Sequence, residues 1–326
     1  MCSDNFSQER VLMRKTFFYL IAASVLAALV SCTRQKPAES SKIKVSCTTF
    51  PNYDWTREIT RGIPGIDLKL IVSDGTDLHS FQPSVDDMVT IQTADILVFT
   101  GGESDEWVLD ATKNPMNRNL VSVNLMSHLS DRLQEEESEI NDDGCEDAEN
   151  DEHIWLSLKN AQASCRIICT ALCEKDPANK DTYEQNTRSY LEKLSVLDKD
   201  YANVISGSRK KTIVFADRFP FKYLASDYGI SHFAAFKGCA AETEASFQTI
   251  TVLAQKLNEL DLNCIVKIEG SSDSLSKTVL KTAGRPDGRI LVLDSIQSVT
   301  RKQIDAGYSY LGAMESNLKV IQDALN

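Results

Sequence analysis

The chain contains 326 residues, of which 42% are apolar and 25% charged, and its formal net charge at pH 7 is −12. This length exceeds what a single hydrophobic core usually serves, and the composition is ordinary for a soluble globular protein, so two domains are expected. The negative charge argues against nucleic acid or an anionic membrane surface as the main partner, and it is compatible with a cationic ligand.

Residues 1–31 are predicted to be a lipoprotein signal peptide that is not part of the fold. Two basic residues precede the apolar stretch TFFYLIAASVLAALVS, which is shorter than the roughly 20 apolar residues that a membrane span needs. The letters LVSC, which end at Cys32, resemble the bacterial lipoprotein signal, in which the cysteine is lipidated. Met13 is a more typical start than Met1. Residues 32–42 are polar enough to form a flexible tether.

Residues 43–175 predict a first α/β lobe. Apolar runs rich in β-branched residues alternate with segments of helical potential, which indicates a mainly parallel sheet flanked by helices. The runs are KIKVSCTTF, DLKLIVS, ADILVFTGG and LVSVNL. Within this lobe, residues 134–152 contain eleven acidic and few apolar residues, so they predict a mobile loop. Both a cation-collecting role and a plain solvated insertion remain open for this loop.

Residues 176–207 predict one long helix between the lobes. Leucine, tyrosine and valine side chains recur near helical spacing in YLEKLSVLDKDYANV, and no Gly/Ser hinge interrupts the segment. Residues 208–326 repeat the α/β alternation with TIVFAD, SHFAAF, NCIVKIEG and GRILVLDS, and they end in a helix from about Asp305. The expected fold is therefore two α/β lobes joined by a stiff helix.

The cysteines give no regular disulfide framework, because seven remain after the leader and seven is an odd number. Cys165, Cys169 and Cys173 recur every four residues and would share one face of a helix. Small side chains at a helix interface are the favoured interpretation of this face, and a thiolate metal or redox site is the alternative.

Two of the four histidines, His79 and His153, lie in short segments that read like metal-site loops. Asp294 directly follows the apolar run RILVL, and the carboxyl ends of parallel strands are where open α/β sheets place ligands. Imidazole and carboxylate donors together suit zinc, manganese or ferrous iron. These side chains are the candidate metal ligands.

These segments resemble the solute-binding proteins of metal ABC transporters, in the group that binds zinc or manganese. GTDLHSFQPSVDDMVTIQTADILVFTGG is similar to the family's first-ligand segment and places His79 on the ligand position, with Glu103 and Trp107 fitting the pattern that follows. DEHIWLSLKNA is similar to the second-ligand segment and places His153. VLDSIQ resembles the carboxylate-ligand segment and places Asp294, and GYSYLGAMESNLKVI resembles the terminal helix.

The resemblance also exposes a departure from the family pattern. Arg218 falls where the family usually has a histidine or glutamate ligand, and a guanidinium stays protonated and has no lone pair to offer. Asp217 is the first alternative as donor, Glu242 or Glu244 the second, and a water molecule or no protein ligand the third. Arg218 is then expected to pair with a carboxylate and hold it in place.

The remaining polar candidates are expected to be outside the metal site. His128 and His232 lie outside the segments that carry the family's ligands, so surface or interface roles are favoured for them. Glu269 follows the NCIVKI run and is interpreted as structural, with a place in the cleft as the alternative.

The resemblance implies a function in metal uptake. A monomer anchored outside the cell membrane by lipid on Cys32 would capture Zn²⁺, or Mn²⁺ as the alternative, in the cleft between its lobes and deliver it to an ABC permease. The Irving–Williams order favours zinc. We expect no enzyme activity, since neither HExxH nor a Walker A loop is present. A surface metallohydrolase and an adhesin or metal-sensing lipoprotein are the alternatives.

Overall fold

The computed structural model describes residues 42–135, 150–238 and 244–326. These residues form two four-stranded sheets in which all paired strands are parallel. The first sheet has the order β2-β1-β3-β4, and its strands are β1 (Ile43–Cys47), β2 (Ile66–Leu70), β3 (Ile96–Phe99) and β4 (Val121–Asn124). The second has the order β6-β5-β7-β8, with β5 (Thr212–Phe219), β6 (Ser231–Lys237), β7 (Cys264–Ile268) and β8 (Arg289–Leu293).

Helices accompany each sheet and one long helix lies between them in the chain. The first lobe contains α1 (Phe50–Ile59), α2 (Val85–Gln92), α3 (Glu106–Thr112), α4 (Leu125–His128) and α5 (Leu158–Lys175). The connecting helix is α6 (Lys180–Gly207), and the second lobe contains α7 (Lys222–Tyr228), α8 (Phe247–Glu259), α9 (Ser274–Thr282), α10 (Arg301–Asp305) and α11 (Tyr310–Leu325). Each of the eight strands overlaps a predicted apolar run, so the expected α/β fold with two lobes is confirmed.

The connecting helix is fixed to both lobes. It packs against α1 and α5 of the first lobe and against α7 and α11 of the second lobe. Its apolar stripe, which includes Leu194, Leu197 and Tyr201, is buried, and the Tyr201 hydroxyl donates a hydrogen bond to the Met314 carbonyl oxygen at 2.7 Å. Because the helix is anchored along its length, it acts as a stiff spacer between the lobes.

The C-terminal helix begins later than its sequence pattern predicts. A short helix, α10, ends at Asp305, and Gly307 adopts a φ of 91°, which is a conformation that favours glycine. Ser309 then caps α11 by accepting a hydrogen bond from the Gly312 amide, so the last helix starts at Tyr310. The C-terminal helix therefore starts about five residues after the predicted start near Asp305.

The core is continuous across the two lobes. One large cluster of buried side chains includes residues from both sheets, and within it the Trp55 ring packs edge-on against Tyr310 with centroids 5.1 Å apart. Within the described part of the chain, none of the helices is both long and apolar enough to cross a membrane.

The strand order determines where a ligand can bind. In each sheet the order of connection reverses beside the central strands, β1 and β3 in the first and β5 and β7 in the second. Such a reversal opens a crevice at the carboxyl ends of the strands, where ligands bind in open α/β sheets. The segments that carry His79 and Asp294 follow β2 and β8, and Arg218 lies near the carboxyl end of β5. Both sheets therefore contribute candidate side chains at their carboxyl edges.

Candidate metal centre

Neighbouring residues fix the backbone turn that carries His79. The turn Leu78–Ser80 lies between β2 and α2, and Asp77 begins it, because the Asp77 carboxylate accepts a hydrogen bond from the His79 amide at 3.0 Å. Leu78 is buried in the core beneath the turn. The backbone that carries the His79 imidazole is thus held by both a polar and an apolar contact.

His153 is fully buried and is held by the residue two positions before it. The Asp151 carboxylate accepts a hydrogen bond from the His153 amide at 2.8 Å and lies 3.1 Å from its Nδ1 atom. The Tyr223 hydroxyl, from the second lobe, donates to the Asp151 carbonyl oxygen at 2.6 Å. The indole of Trp155 packs edge-on against the imidazole, with centroids 5.2 Å apart. The ring of His153 therefore has a defined orientation.

The two imidazoles face each other through their Nε2 atoms, which are 3.2 Å apart. Two nitrogen ligands of a tetrahedral zinc ion, each about 2.0–2.1 Å from the metal, lie about 3.3 Å from each other. The spacing of His79 and His153 therefore matches a pair of adjacent metal ligands. Their Nδ1 atoms are turned towards carboxylates, which is the arrangement that fixes the tautomer of a metal-binding histidine.

Glu152 supplies the carboxylate behind His79. Its Oε1 atom lies 3.1 Å from His79 Nδ1, and the Ser104 hydroxyl contacts both the carboxylate and the same ring nitrogen. Burial alone would raise the pKa of Glu152, but the hydrogen bond to His79, the charge of His153 and the Ser104 hydroxyl outweigh it, and the pKa is below its ordinary value. Glu152 is therefore suited to act as an ionised group that orients the His79 ring.

Among the described residues, His79, Glu152 and His153 form the one group of three potential ligands whose donor atoms all lie within 4.8 Å of one another. The Glu152 oxygen approaches the Nδ1 side of His79, whereas the Nε2 side faces His153. Glu152 therefore lies on the side of the His79 ring that is away from His153, and the two Nε2 atoms face each other.

Sequence reasoning missed Glu152, and the prediction of a mobile loop was wrong at its last two residues. The acidic composition of residues 134–152 suggested solvent exposure throughout, yet Asp151 and Glu152 are 1% and 2% exposed. Their position directly before His153 was the available signal, because buried acids beside a ligand histidine are its expected partners. Residues 136–149 lie outside the described part of the chain.

The turn after β3 brings Ser104 to the site, and two glycines allow it. Gly101 and Gly102 have φ values of 83° and 111°, and a Cβ atom on Gly102 would lie 2.6 Å from the Glu152 carboxylate. Asp105 ties the turn by accepting hydrogen bonds from the amides of Thr100 and Gly101 at 2.8 and 3.1 Å. Burial raises the pKa of Asp105 to about 6, since the charged carboxylate is removed from water.

On the opposite wall, Asp294 follows β8 as the sequence predicts, but its oxygens already have partners. One accepts a hydrogen bond from the Ile296 amide at 2.8 Å and the other from the Tyr308 hydroxyl at 2.6 Å. Ile296 has a φ of 62°, which a β-branched residue rarely adopts, so this turn is strained. Asp294 does not belong to the His79 group in this structure.

Asp217 and Glu269 are engaged in the same way within the second lobe. Asp217 contacts the Ser271 hydroxyl and accepts from the Ile268 amide at 3.3 Å and the Arg218 amide at 2.9 Å. Glu269 accepts from the Ser295 amide at 2.7 Å, and burial, followed by the charge of Asp294, raises its pKa. Neither carboxylate joins the group of His79 and His153 among the described residues.

Arg218 pairs with a carboxylate, as expected, and the partner is Asp77 from the other lobe. The distance from Arg218 Nη2 to Asp77 Oδ2 is 2.6 Å. Burial alone would raise the pKa of Asp77, but the hydrogen bond and charge of Arg218 outweigh it, so the pKa lies below its ordinary value. The guanidinium therefore holds the residue that begins the His79 turn.

The other candidates lie apart from the group of donors. Glu244 is exposed and Glu242 lies outside the described part of the chain. His128 is exposed at the end of α4, and His232 stacks on Phe219 with centroids 3.7 Å apart. Burial, with the charge of Lys222, lowers the pKa of His232 to about 4.

The three regularly spaced cysteines lie on α5, as predicted. Cys165 and Cys169 are buried, Cys173 is half-buried, and all three are free thiols. The Sγ atoms of Cys169 and Cys173 are 3.9 Å apart. Burial raises the pKa of the Cys165 thiol well above its ordinary value and that of Cys173 to about 12, which favours the packing role over a thiolate site.

Comparison with known proteins assigns the family. The sequence matches the family ZnuA, described as zinc-uptake complex component A periplasmic, over residues 45–324. The zinc-binding lipoprotein AdcA of Streptococcus pneumoniae is 29% identical over 311 residues, covering 94% of this chain and 60% of AdcA. The chain thus spans less than two thirds of the length of that relative.

Two further relatives match along almost their whole length. The high-affinity zinc uptake system protein ZnuA of Bacillus subtilis is 28% identical over 315 residues, covering 94% of this chain and 96% of that protein. The crystal structure of the Zn(II)-bound ZnuA-like domain of Streptococcus pneumoniae AdcA superimposes with a TM-score of 0.70 at 27% identity, covering 87% of this chain and 99% of that domain. The resemblance drawn from the ligand segments is thereby confirmed, and the chain belongs to the ZnuA family.

Proposed function

We propose that this protein is an extracytoplasmic receptor that captures a divalent transition metal in the cleft between its lobes and delivers it to an ABC permease. The observation that carries this proposal is the pair of Nε2 atoms 3.2 Å apart on His79 and His153, with both rings oriented by carboxylates. The names of the zinc-binding relatives agree with it.

Zinc is the proposed ion and manganese the alternative. Two imidazoles supply borderline nitrogen donors, and the Irving–Williams order places zinc above manganese at most sites of this kind. The Zn(II)-bound state of the related AdcA domain supports the same choice. The metal here is cargo, so a closed set of ligands and reversible release are the properties that its site requires.

The remaining ligand is proposed to come from the second lobe. Asp294 is the first candidate, because its side chain would need to leave only the Tyr308 hydroxyl and the Ile296 amide to turn towards a metal. Asp217 is the second, and its three hydrogen bonds within the lobe make its release more costly. Glu242, Glu244 and a water molecule remain the other donors in this proposal.

The test is a competition titration of the apoprotein against a chromophoric chelator, with Zn²⁺ and Mn²⁺ in separate series. His79→Ala and His153→Ala are each expected to weaken zinc binding by more than about 100-fold, since each removes a direct ligand and even indirect partners are worth 10–100-fold. His128→Ala, which removes an exposed histidine, is the matched control and should bind as the wild type does. Unchanged affinity in both ligand variants would refute the metal site.

Binding without catalysis is the expected chemistry. A metallohydrolase would keep an open position on the metal and place a general base beside the bound water. Glu152, the carboxylate that adjoins the histidines, instead faces the Nδ1 atom of His79. We expect the zinc-loaded protein to hydrolyse neither ester nor peptide substrates, and hydrolysis that disappears in His79→Ala would favour the enzyme alternative. An adhesin or metal-sensing role would use the same fold.

Attachment to the membrane is proposed to occur through lipid on Cys32, with residues 1–31 removed. Expression of the full chain and of Cys32→Ala in a Gram-positive host tests this, followed by fractionation of cells and medium. The wild type should remain with the membrane and the variant should appear in the medium. Equal distribution of both proteins would contradict the lipid anchor.

A further inference from the structure

One ion pair connects the two walls of the cleft beside the metal ligands. Arg218 lies on β5 in the second lobe and Asp77 in the loop after β2 in the first, and the pair joins residues 141 positions apart. The two side chains are 18% and 32% exposed, so the pair is partly shielded from water. Through its other oxygen, Asp77 accepts the hydrogen bond from the His79 amide. One carboxylate therefore connects the guanidinium of one lobe to the ligand-bearing backbone of the other.

A bulge in β5 sets the direction of the Arg218 side chain. Between Phe215 and Arg218 the register of β5 against β6 shifts by one residue, a bulge of the kind that redirects a side chain. The Arg218 amide donates to Asp217, whose other oxygen contacts Ser271 and the Ile268 amide. The backbone under the guanidinium is thus held from inside the second lobe.

A second contact holds the same loop. The Gly75 amide donates to the Val299 carbonyl oxygen at 3.4 Å, across the lobes. Gly75 and Asp77 precede His79 by four and two residues, so the loop meets the second lobe twice just before the metal ligand. Of these two contacts, the one between Asp77 and Arg218 is made by charged groups.

We propose that Arg218 is a positioning residue, which docks the His79 loop on the second lobe before any metal arrives. This inference rests on the proposed function, since His79 must be a ligand for its docking to matter. The resemblance puts a third metal ligand where Arg218 lies, and such a ligand would join the lobes only through a bound ion. A guanidinium remains charged at all physiological pH values, so here the connection between the lobes forms without a metal. The incoming ion meets an assembled pair of imidazoles.

Backbone hydrogen exchange of the apoprotein tests this proposal, followed by mass spectrometry of the peptide that covers residues 74–82. In Arg218→Gln these amides should exchange about 5- to 20-fold faster than in the wild type, because a partly buried charged hydrogen bond is lost. Asp77→Asn keeps an oxygen that can accept from the His79 amide while it removes the charge. It should therefore produce a similar increase, and the double variant should exchange no faster than Arg218→Gln alone.

Arg285→Gln is the matched control. It breaks an ion pair with Asp261, 3.0 Å long, in the same lobe, and should leave the exchange of residues 74–82 unchanged. Added zinc should slow exchange only slightly in the wild type and strongly in Arg218→Gln, because in the variant the metal must now dock the loop. Zinc dissociation, followed by transfer to a chelator in excess, should accelerate in Arg218→Gln and not in the control.

Wild-type exchange rates in both Arg218→Gln and Asp77→Asn would overturn the docking role, even if zinc binds tightly to the wild type. Tighter zinc binding in Arg218→Gln would also overturn it, because the guanidinium would then oppose the metal rather than prepare its site. If Arg218→Gln fails to fold, Asp77→Asn decides alone. Failure of the wild type to bind zinc would refute the proposed function instead, and the exchange data would still report whether the ion pair docks the loop.

Discussion

The two walls of the cleft differ in how ready they are to bind a metal. On the wall of the first lobe, the Nε2 atoms of His79 and His153 face each other while their Nδ1 atoms meet carboxylates. On the wall of the second lobe, Asp217 and Asp294 accept hydrogen bonds from their own lobe on both oxygens. On the first wall the Nε2 atoms of two imidazoles face each other, whereas on the second wall the carboxylates accept hydrogen bonds from their own lobe.

We therefore expect the two walls to contribute to metal affinity in different ways. On the first wall, carboxylates already hold both imidazoles in place on their Nδ1 sides. The second wall must give up hydrogen bonds worth about 0.5–1.5 kcal/mol each before a carboxylate can turn to the ion. Metal capture is then expected to begin on the histidines and to be completed by the second lobe.

The largest of these effects is expected for Glu152→Gln on the first wall. The amide nearly keeps the shape of the carboxylate but loses the charge that orients His79, so zinc affinity should fall by about 10- to 100-fold. A chelator competition titration measures this. Glu106→Gln, an exposed residue on α3, is the control and should have no effect. If Glu152→Gln binds zinc like the wild type, the first wall is not preorganised by this acid.

Features that depend on local sequence could be predicted, whereas features that depend on contacts between distant residues could not. The strands, and the meeting of His79 and His153 at one site, could be predicted from local patterns and a family resemblance. The pairing of Arg218 with Asp77 could not, because it depends on how two lobes separated by 141 residues meet. Glu152 was missed since the acidic composition of its neighbourhood concealed a buried residue.

A second effect concerns the stability of the first wall. Burial raises the pKa of Asp105 from its ordinary value to about 6, so the folded state binds this proton more tightly than the unfolded state does. The contribution of Asp105 to stability is therefore fully present below about pH 4 and is lost as the pH rises through about 6. Between pH 4.5 and 7 this loss is about 2 kcal/mol, and Asp105→Asn, which cannot ionise, should not show it.

Urea unfolding of the apoprotein at pH 4.5 and 7 measures the contribution of Asp105 to stability. Between pH 4.5 and pH 7 the wild type should lose more unfolding free energy than Asp105→Asn does. Asp86→Asn, at an exposed position on α2, provides the control and should follow the wild type. An identical pH dependence in wild type and Asp105→Asn would show that this acid does not titrate as proposed.

The smallest effect is expected on the second wall. Tyr308→Phe removes the hydroxyl that donates to Asp294, so the carboxylate is easier to free and zinc affinity should rise about five-fold. Tyr183→Phe removes a comparable hydrogen bond to Asp176 and is the control. Both are measured by zinc competition. A lower affinity in Tyr308→Phe would mean that the hydroxyl positions Asp294 for the metal rather than withholding it.

X-ray absorption at the zinc edge of the wild-type protein, loaded with one equivalent of Zn²⁺, tests the central claim most directly. The account predicts two imidazole nitrogens at about 2.0–2.1 Å, completed by oxygen ligands, with no sulfur at about 2.3 Å. Sulfur in the spectrum would place the ion at thiols such as Cys169 and Cys173, whose Sγ atoms are 3.9 Å apart. A shell of oxygen alone, or one containing sulfur, would contradict a site between His79 and His153.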